Sequence, residues 1–223
     1  MLTTRRRWSL VLALAGTMGC SHASRLERVR DLEMATPEAP RGWSGATVTI
    51  DPFADERPAE AWTTGYARVR YEHPEHAHAF GERNVVRVGD LQDEYPALLA
   101  RTLPPGAQVS LGAAGTSEFI VKGRLLQSTL SIKARPMLAL PSLVGIPVAR
   151  HDIRFRVRVE LYRAGAAEPL WSETYAFDDT KHEGLYYGTD ASRTLARTAL
   201  RDSVERAAKD IAAVISANRS ATG

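Results

Sequence analysis

Residues 153–161 read IRFRVRVEL, and this alternation decides the fold class. Every second residue from Ile153 to Leu161 is apolar, whereas the residues between them are three arginines and one glutamate. A period of two is typical of a β-strand, because successive side chains of a strand point to opposite faces of the sheet. The stretch therefore predicts a strand with one face in the core and the other in water.

Two neighbouring runs predict long strands beside it. The run 118–133 is rich in β-branched residues and leucine, which favours an extended chain, and Gly123 within it is a candidate β-bulge. The run 170–177 continues the alternation after Ala-Gly-Ala at 164–166, which is typical of a hairpin turn. Shorter strands are predicted at 46–53 and 84–88.

Helices are predicted at two places. Asp90 is a candidate N-cap for a helix through Leu103, in which Pro96 places the regular part from about Tyr95 onward. A long amphipathic helix is predicted over 191–217, because apolar residues recur there at helical spacing. Its apolar stripe comprises Leu195, Ala199, Leu200, Val204, Ala208, Ile211, Val214 and Ile215. The fold class predicted is α+β: a mixed, largely antiparallel sheet with the long C-terminal helix and one shorter helix packed on one face.

Composition and charge exclude several classes of protein. The 223 residues are 44% hydrophobic and 25% charged, which is typical of a globular domain, and one cysteine excludes internal disulfides and a cysteine-rich zinc site. The net charge of +3 comes from the three arginines at 5–7, since residues 20–223 hold 26 basic and 26 acidic groups. A neutral body has no long-range field to gather phosphates, so no nucleic-acid partner is expected.

The N-terminus has the pattern of an exported protein. The arginines at 5–7 precede the apolar run 8–15, whose length suits the core of a signal peptide and falls short of the roughly 20 residues of a membrane span. Residues 1–19 are therefore predicted to be a signal peptide. The general secretory route is the expected one, and the arginines also resemble a twin-arginine signal, which is the alternative.

The only cysteine, Cys20, follows Gly19, and this pair resembles the lipobox of bacterial lipoproteins. The resemblance implies that Cys20 is acylated and becomes the N-terminus after cleavage. Several fatty chains, at about 0.8 kcal/mol per buried methylene, would anchor the protein durably. Similar lipoproteins of Gram-negative bacteria are retained at the inner membrane chiefly when Asp follows the cysteine. Because Ser21 stands there, the resemblance implies that this protein is located at the periplasmic face of the outer membrane. An ordinary secretory signal cut near Ala23 is the alternative.

Four regions follow from these patterns. The signal peptide is 1–19, and the lipidated N-terminus and linker are 20–45, where prolines, glycine and charges replace apolar periodicity. A single α+β domain is predicted over 46–217. Residues 218–223 are predicted to be a disordered tail.

An apolar connection joins the two longest predicted strands. Three prolines within 136–148 exclude a regular helix or a central strand there. The segment either folds back over an open sheet face or stays exposed to meet a membrane or a protein partner. Its candidate contact residues are Met137, Leu138, Leu140, Leu143, Val144 and Ile146.

Two other groups carry chemistry that a ligand site would need. Imidazoles at His73, His76 and His78 are weak candidates to bind zinc or copper, although exposed loop histidines need no such role, and neither a metal nor a cofactor is expected. Tyr186 and Tyr187 are candidates to line a groove for a ligand, or else they pack their loop onto the domain.

The acidic residues Asp51, Asp55 and Glu56 could form an acid/base set, but pairing with Arg57 is the preferred interpretation. The sequence contains no G-x-S-x-G elbow, Walker A loop or dinucleotide-binding glycine loop. Enzyme activity is therefore not expected.

The order of elements after Cys20 is similar to that of small periplasm-facing lipoproteins of bacterial envelopes. That resemblance implies a membrane-anchored, non-enzymatic adaptor or an assembly or transport accessory protein, with another envelope protein as its partner. The alternative is a carrier or sensor of a small envelope ligand, namely a lipid, a glycan or a metal.

Overall fold

A mixed sheet of seven strands with two helices on one face makes up the described part of the chain. The computed structural model describes residues 32–57, 84–87, 91–112, 117–134, 149–183 and 190–222. The strands are β1 (Thr47–Ile50), β2 (Ala54–Asp55), β3 (Asn84–Arg87), β4 (Gln108–Leu111), β5 (Phe119–Ala134), β6 (Ala149–Arg163) and β7 (Trp171–Glu183). The helices are α1 (Leu91–Thr102) and α2 (Asp190–Thr222).

The strand order is β4-β1-β5-β6-β7. Strands β5, β6 and β7 form an antiparallel meander, whereas β1 runs parallel to both β4 and β5. The second edge of β5 pairs in succession with β1, β2 and β3, the last of them antiparallel. The predicted α+β class and the largely antiparallel sheet are confirmed.

The core lies between the sheet and the helices. All five apolar residues of the alternating stretch 153–161 are buried, and the arginines between them are exposed. The stripe predicted on the long helix is buried as well, with Val214 half-buried. Rings from α1, β6 and the connection between β1 and β2 meet at the centre. Tyr95 of α1 lies 5.1 Å from Phe53 and 6.3 Å from Phe155, measured between ring centroids.

Gly123 has a packing role, and its prediction as a β-bulge is wrong. The register of β5 against β6 shifts between Leu125 and Gln127, two residues further along the strand. A Cβ atom on Gly123 would overlap the ring of Phe53, which lies across the backbone at that point. The glycine is therefore required for close approach of an aromatic ring to the sheet.

Helix α1 begins at Leu91, earlier than the predicted start near Tyr95, although it contains Pro96. A proline has no N–H, so the carbonyl of Gln92, four residues earlier, loses its partner within the helix. The N–H of Phe53 donates to this carbonyl at 3.2 Å. The missing helical bond is thus replaced by one that ties α1 to the chain between β1 and β2.

Packed residues precede the predicted domain boundary at Ala46. Residues 32–45 were expected to be linker, yet Leu32 is buried and Trp43 is 0% exposed. The indole Nε1 of Trp43 donates to the carbonyl of Pro104 at 2.8 Å. These residues bury apolar surface against the helices, which a linker would not do.

The C-terminal end differs from the prediction in the same sense. Helix α2 continues to Thr222, so residues 218–222 are helical and the prediction of a disordered tail is wrong for them. The Arg219 guanidinium donates to the carbonyls of Gly42 and Ser44 at 3.1 and 2.7 Å. Its Nε also lies 3.6 Å from Glu118, so the last turn of α2 holds both the N-terminal segment and the start of β5.

Substitution of Gly123 by alanine should destabilise the domain by about 1–3 kcal/mol, because the added methyl group meets the Phe53 ring in a packed core. Urea unfolding measures this change. In a Phe53→Leu background the same substitution should cost less, since the smaller side chain leaves room. Equal costs in both backgrounds would show that the ring is not the cause.

Truncation of Trp43 should also be costly. Trp43→Ala should lower the free energy of unfolding by about 3–5 kcal/mol, because a fully buried ring is removed. Trp43→Phe retains a ring and loses the bond to Pro104, so we expect a smaller loss. If Trp43→Ala unfolds in urea like wild type, residues 32–45 behave as the linker that the sequence predicted.

Candidate interaction surface

The sheet face turned away from the helices is strongly cationic along β5 and β6. Alternation places the even-numbered residues of β6, and those of β5 before its bulge, on this face. Six exposed cationic side chains lie there. We call this set the basic face: Lys122, Arg124, Arg150, Arg154, Arg156 and Arg158.

The strand register places two of these cations directly opposite one another. Arg124 of β5 pairs with Arg158 of β6, an arrangement that is unfavourable unless other charges compensate. The Arg124 guanidinium lies 3.2 Å from Glu56 and 3.9 Å from Glu160, so two carboxylates offset the repulsion. Arg158 instead donates from Nε to the Thr174 hydroxyl of β7 at 3.3 Å.

A tyrosine lies at the end of the basic face. The Tyr162 hydroxyl donates to Glu160 at 2.9 Å, and this hydrogen bond to a carboxylate raises the pKa of the tyrosine. The ammonium of Lys122 lies 5.0 Å from the centre of the Tyr162 ring, within the range of a cation–π contact. Arginine and tyrosine are both enriched in protein–protein interfaces.

Three cations of the basic face make no ion pair with a carboxylate of the described residues: Lys122, Arg154 and Arg158. By contrast, Arg156 lies 3.6 Å from Asp178, and Arg150 lies 2.7 Å from Asp152. Successive residues on one face of a strand are separated by about 6.8 Å. The arginines of β6 therefore lie at a regular spacing. Arg150 and Arg156 are paired with carboxylates, whereas Arg154 and Arg158 are not paired with a described carboxylate.

The acidic residues after β1 do not form an acid/base centre. Arg57 bonds the Asp55 carboxylate through two of its nitrogens, at 2.8 and 2.7 Å, and both side chains are largely buried. Glu56 is turned toward Arg124 on the basic face. The pairing of a carboxylate with Arg57, which the sequence analysis preferred, is confirmed.

The candidate site residues of the sequence analysis lie outside the described residues. These are Cys20, His73, His76, His78, Met137, Leu138, Leu140, Leu143, Val144, Ile146, Tyr186 and Tyr187. Among the residues that the structure does describe, no group of three or more histidine, cysteine or acidic side chains is arranged to hold a metal ion. In the same ranges, neither helix combines the length and apolar content that crossing a bilayer requires.

The basic face is not among the sites that the sequence predicts. Alternation predicts that the β6 arginines lie in water, but it does not connect them with Lys122 and Arg124, more than 25 positions earlier in the chain. The alternation of β6 was the available signal. The register that brings β5 alongside it was needed to see one surface.

A buried histidine lies on the opposite face of β6. His151 is 4% exposed, and burial lowers its pKa. The charge of Asp152 acts in the other direction, while His182 adds to the lowering. The folded protein therefore favours the neutral imidazole.

Stability should consequently fall as the solution becomes acidic. The contribution of neutral His151 to the free energy of unfolding is fully present above about pH 6.5, the pKa of histidine in the unfolded chain. It is lost as the pH falls from there through the lower pKa of His151 in the folded protein. Within this window one histidine contributes a slope of at most about 1.4 kcal/mol per pH unit. Urea unfolding at a series of pH values measures the slope, and His151→Gln should flatten it.

The matched variant His182→Gln, which removes an exposed histidine, should keep most of the slope. Equal slopes in wild type and His151→Gln would contradict the assignment of the slope to His151.

Comparison with known proteins gives similarity of shape only. No family model matches the chain, and no curated protein matches its sequence. Among solved structures, a Xanthomonas campestris protein of the family DUF330 has a TM-score of 0.49 at 8% identity and covers 86% of this chain and 97% of its own.

Two lipoproteins are also among the similar structures. A minor lipoprotein from Acinetobacter baumannii has a TM-score of 0.34 at 14% identity, covering 81% of this chain and 96% of its own. Lipoprotein GNA1162 from Neisseria meningitidis has a TM-score of 0.30 at 9% identity, with 72% and 99% covered.

Proposed function

We propose that the protein is a lipid-anchored lipoprotein of the bacterial envelope that acts as a non-enzymatic adaptor or assembly accessory. In this proposal Cys20 carries the lipid, the membrane is the outer membrane and the domain stands on its periplasmic face. The basic face binds another envelope protein. One observation carries the proposal: the exposed basic face lies opposite the helices, and the N-terminal segment, residues 32–45, runs along the helices.

The described chain enters the domain on the helix side. The Leu32 carbonyl accepts from Arg101 of α1 at 3.3 Å, and the Ala35 N–H donates to Glu205 of α2 at 2.8 Å. Both helices pack on the sheet face opposite the basic face. An anchor at Cys20 would therefore draw the helix layer toward the bilayer and leave the basic face directed toward the periplasm.

The length between anchor and domain suits this arrangement. Twelve residue steps separate Cys20 from Leu32, and at 3.3–3.6 Å each they span at most about 40 Å. A tether of this reach confines the domain to a layer near the membrane. Confinement raises the local concentration of the basic face for partners in that layer.

The adaptor role also rests on the chemistry of the face. The face exposes arginines and a tyrosine, and both residue types are enriched in protein-binding surfaces. The non-enzymatic part rests on the motifs, since the sequence lacks the nucleophile elbow and the phosphate-binding loops.

Labelling with a radioactive fatty acid tests the anchor. Wild type should incorporate the label and fractionate with the outer membrane, whereas Cys20→Ser should remain unlabelled as a precursor, because the thiol is the acceptor of the lipid. An unlabelled wild-type chain, or one recovered from the cytosol, would refute lipid anchoring.

Site-specific photocrosslinking in cells tests the partner. A photoreactive residue at Arg154 should give a discrete protein adduct, because this side chain is exposed on the basic face. The same residue at Lys209, exposed on α2, is the matched control and should not give that adduct. Identical patterns from both positions would contradict binding through the basic face.

A further inference from the structure

We infer that the basic face recognises an acidic protein surface, in preference to an anionic bilayer. This inference rests on the proposed function for the existence of a protein partner, and it adds the chemistry of that partner. Its basis is the pattern of charge on the face.

Opposite charges are interspersed on the face. The six cations are accompanied by Glu56, Asp152, Glu160 and Asp178, each within 4 Å of one of the arginines. Among the side chains that the structure describes, these ten groups leave a net excess of two positive charges, and Lys122, Arg154 and Arg158 are the cations without a described carboxylate partner. It is a patterned surface and not a uniform cationic patch.

A bilayer is poorly matched to such a pattern. Each basic residue near an anionic membrane contributes about 1 kcal/mol, so an excess of two cations strengthens attachment only about thirtyfold. Residues 32–35 contact the helices, so in the proposed anchored protein the face would also be directed away from the membrane.

An acidic protein surface can match the same pattern. Arg154 and Arg158 lie on one face of β6 about 14 Å apart, and each guanidinium can hold a carboxylate with two parallel hydrogen bonds. Arg156, between them, is already engaged by Asp178 at 3.6 Å. A partner that places carboxylates opposite Lys122, Arg154 and Arg158, and no charge opposite Arg156, would give each cation of the basic face a carboxylate partner.

Fluorescence anisotropy with a labelled polyglutamate peptide tests this inference. The full-length chain with Cys20→Ser, which keeps all described residues, should bind the peptide at low ionic strength and more weakly at about 0.15 M salt. The triple variant Lys122→Glu, Arg154→Glu, Arg158→Glu should bind at least about tenfold more weakly, because it reverses the three cations that lack a described carboxylate partner.

A matched triple variant controls for total charge. Arg41→Glu, Arg201→Glu and Lys209→Glu change the net charge equally, but these exposed cations lie on the N-terminal segment and α2. This variant should bind polyglutamate nearly as wild type does. If the face variant does not fold by circular dichroism, the corresponding triple alanine variant replaces it and should show a loss in the same direction.

Cosedimentation with vesicles of phosphatidylglycerol and phosphatidylethanolamine gives the competing outcome. Weak vesicle binding that is the same for both triple variants supports an acidic protein partner. The inference is overturned if wild type fails to bind polyglutamate, if the face variant binds it as wild type does, or if only vesicle binding depends on the basic face. Since the purified chain is not acylated, these results are independent of the labelling and crosslinking tests.

Discussion

The antiparallel register between β5 and β6 is the constraint on which the rest of the structure depends. It puts the apolar residues from Ile153 to Leu161 under the helices and the arginines in water. A slip of one residue would exchange the two sets, since the side-chain period of a strand is two. Unpaired guanidinium groups buried in the core would then destabilise the fold by far more than any turn or loop could stabilise it. The helices, the aromatic centre and the basic face all follow from this register.

Local patterns were sufficient to predict the elements that contribute most of the core. The alternation of β6 and the helical spacing of α2 each repeat over many residues, so single exceptions do not obscure them. The limits of the domain were not predictable in the same way. Trp43 is buried because Pro104 and the helices lie over it, and α2 extends past Ala217 because Arg219 finds carbonyls near residue 43. Such contacts join positions far apart in the chain, and no local window contains both partners.

Glycine and proline show the same limit at single positions. Gly123 suggested a bulge because glycine weakens strands, but its reason for being there is the Phe53 ring, 70 positions earlier. Pro96 suggested a late helix start, but the carbonyl it leaves free accepts from Phe53 instead. The candidate surface was foreseeable only in part for a related reason. The wet side of β6 was evident, while the opposition of Arg124 and Arg158 depends on pairing between distant strands.

The irregularity between Leu125 and Gln127 has an effect that extends beyond its own backbone. It inserts one residue into β5, so odd-numbered side chains such as Leu125 face the helices before it, whereas even-numbered ones such as Ser128 do so after it. The outer side of β5 accordingly changes from Lys122 and Arg124 before the irregularity to the uncharged Gln127 and Thr129 directly after it. A molecule lying lengthwise on residues 122–129 would meet two unlike ends. The surface therefore has polarity, and a ligand that is itself asymmetric would be accommodated in one orientation in preference to its reverse.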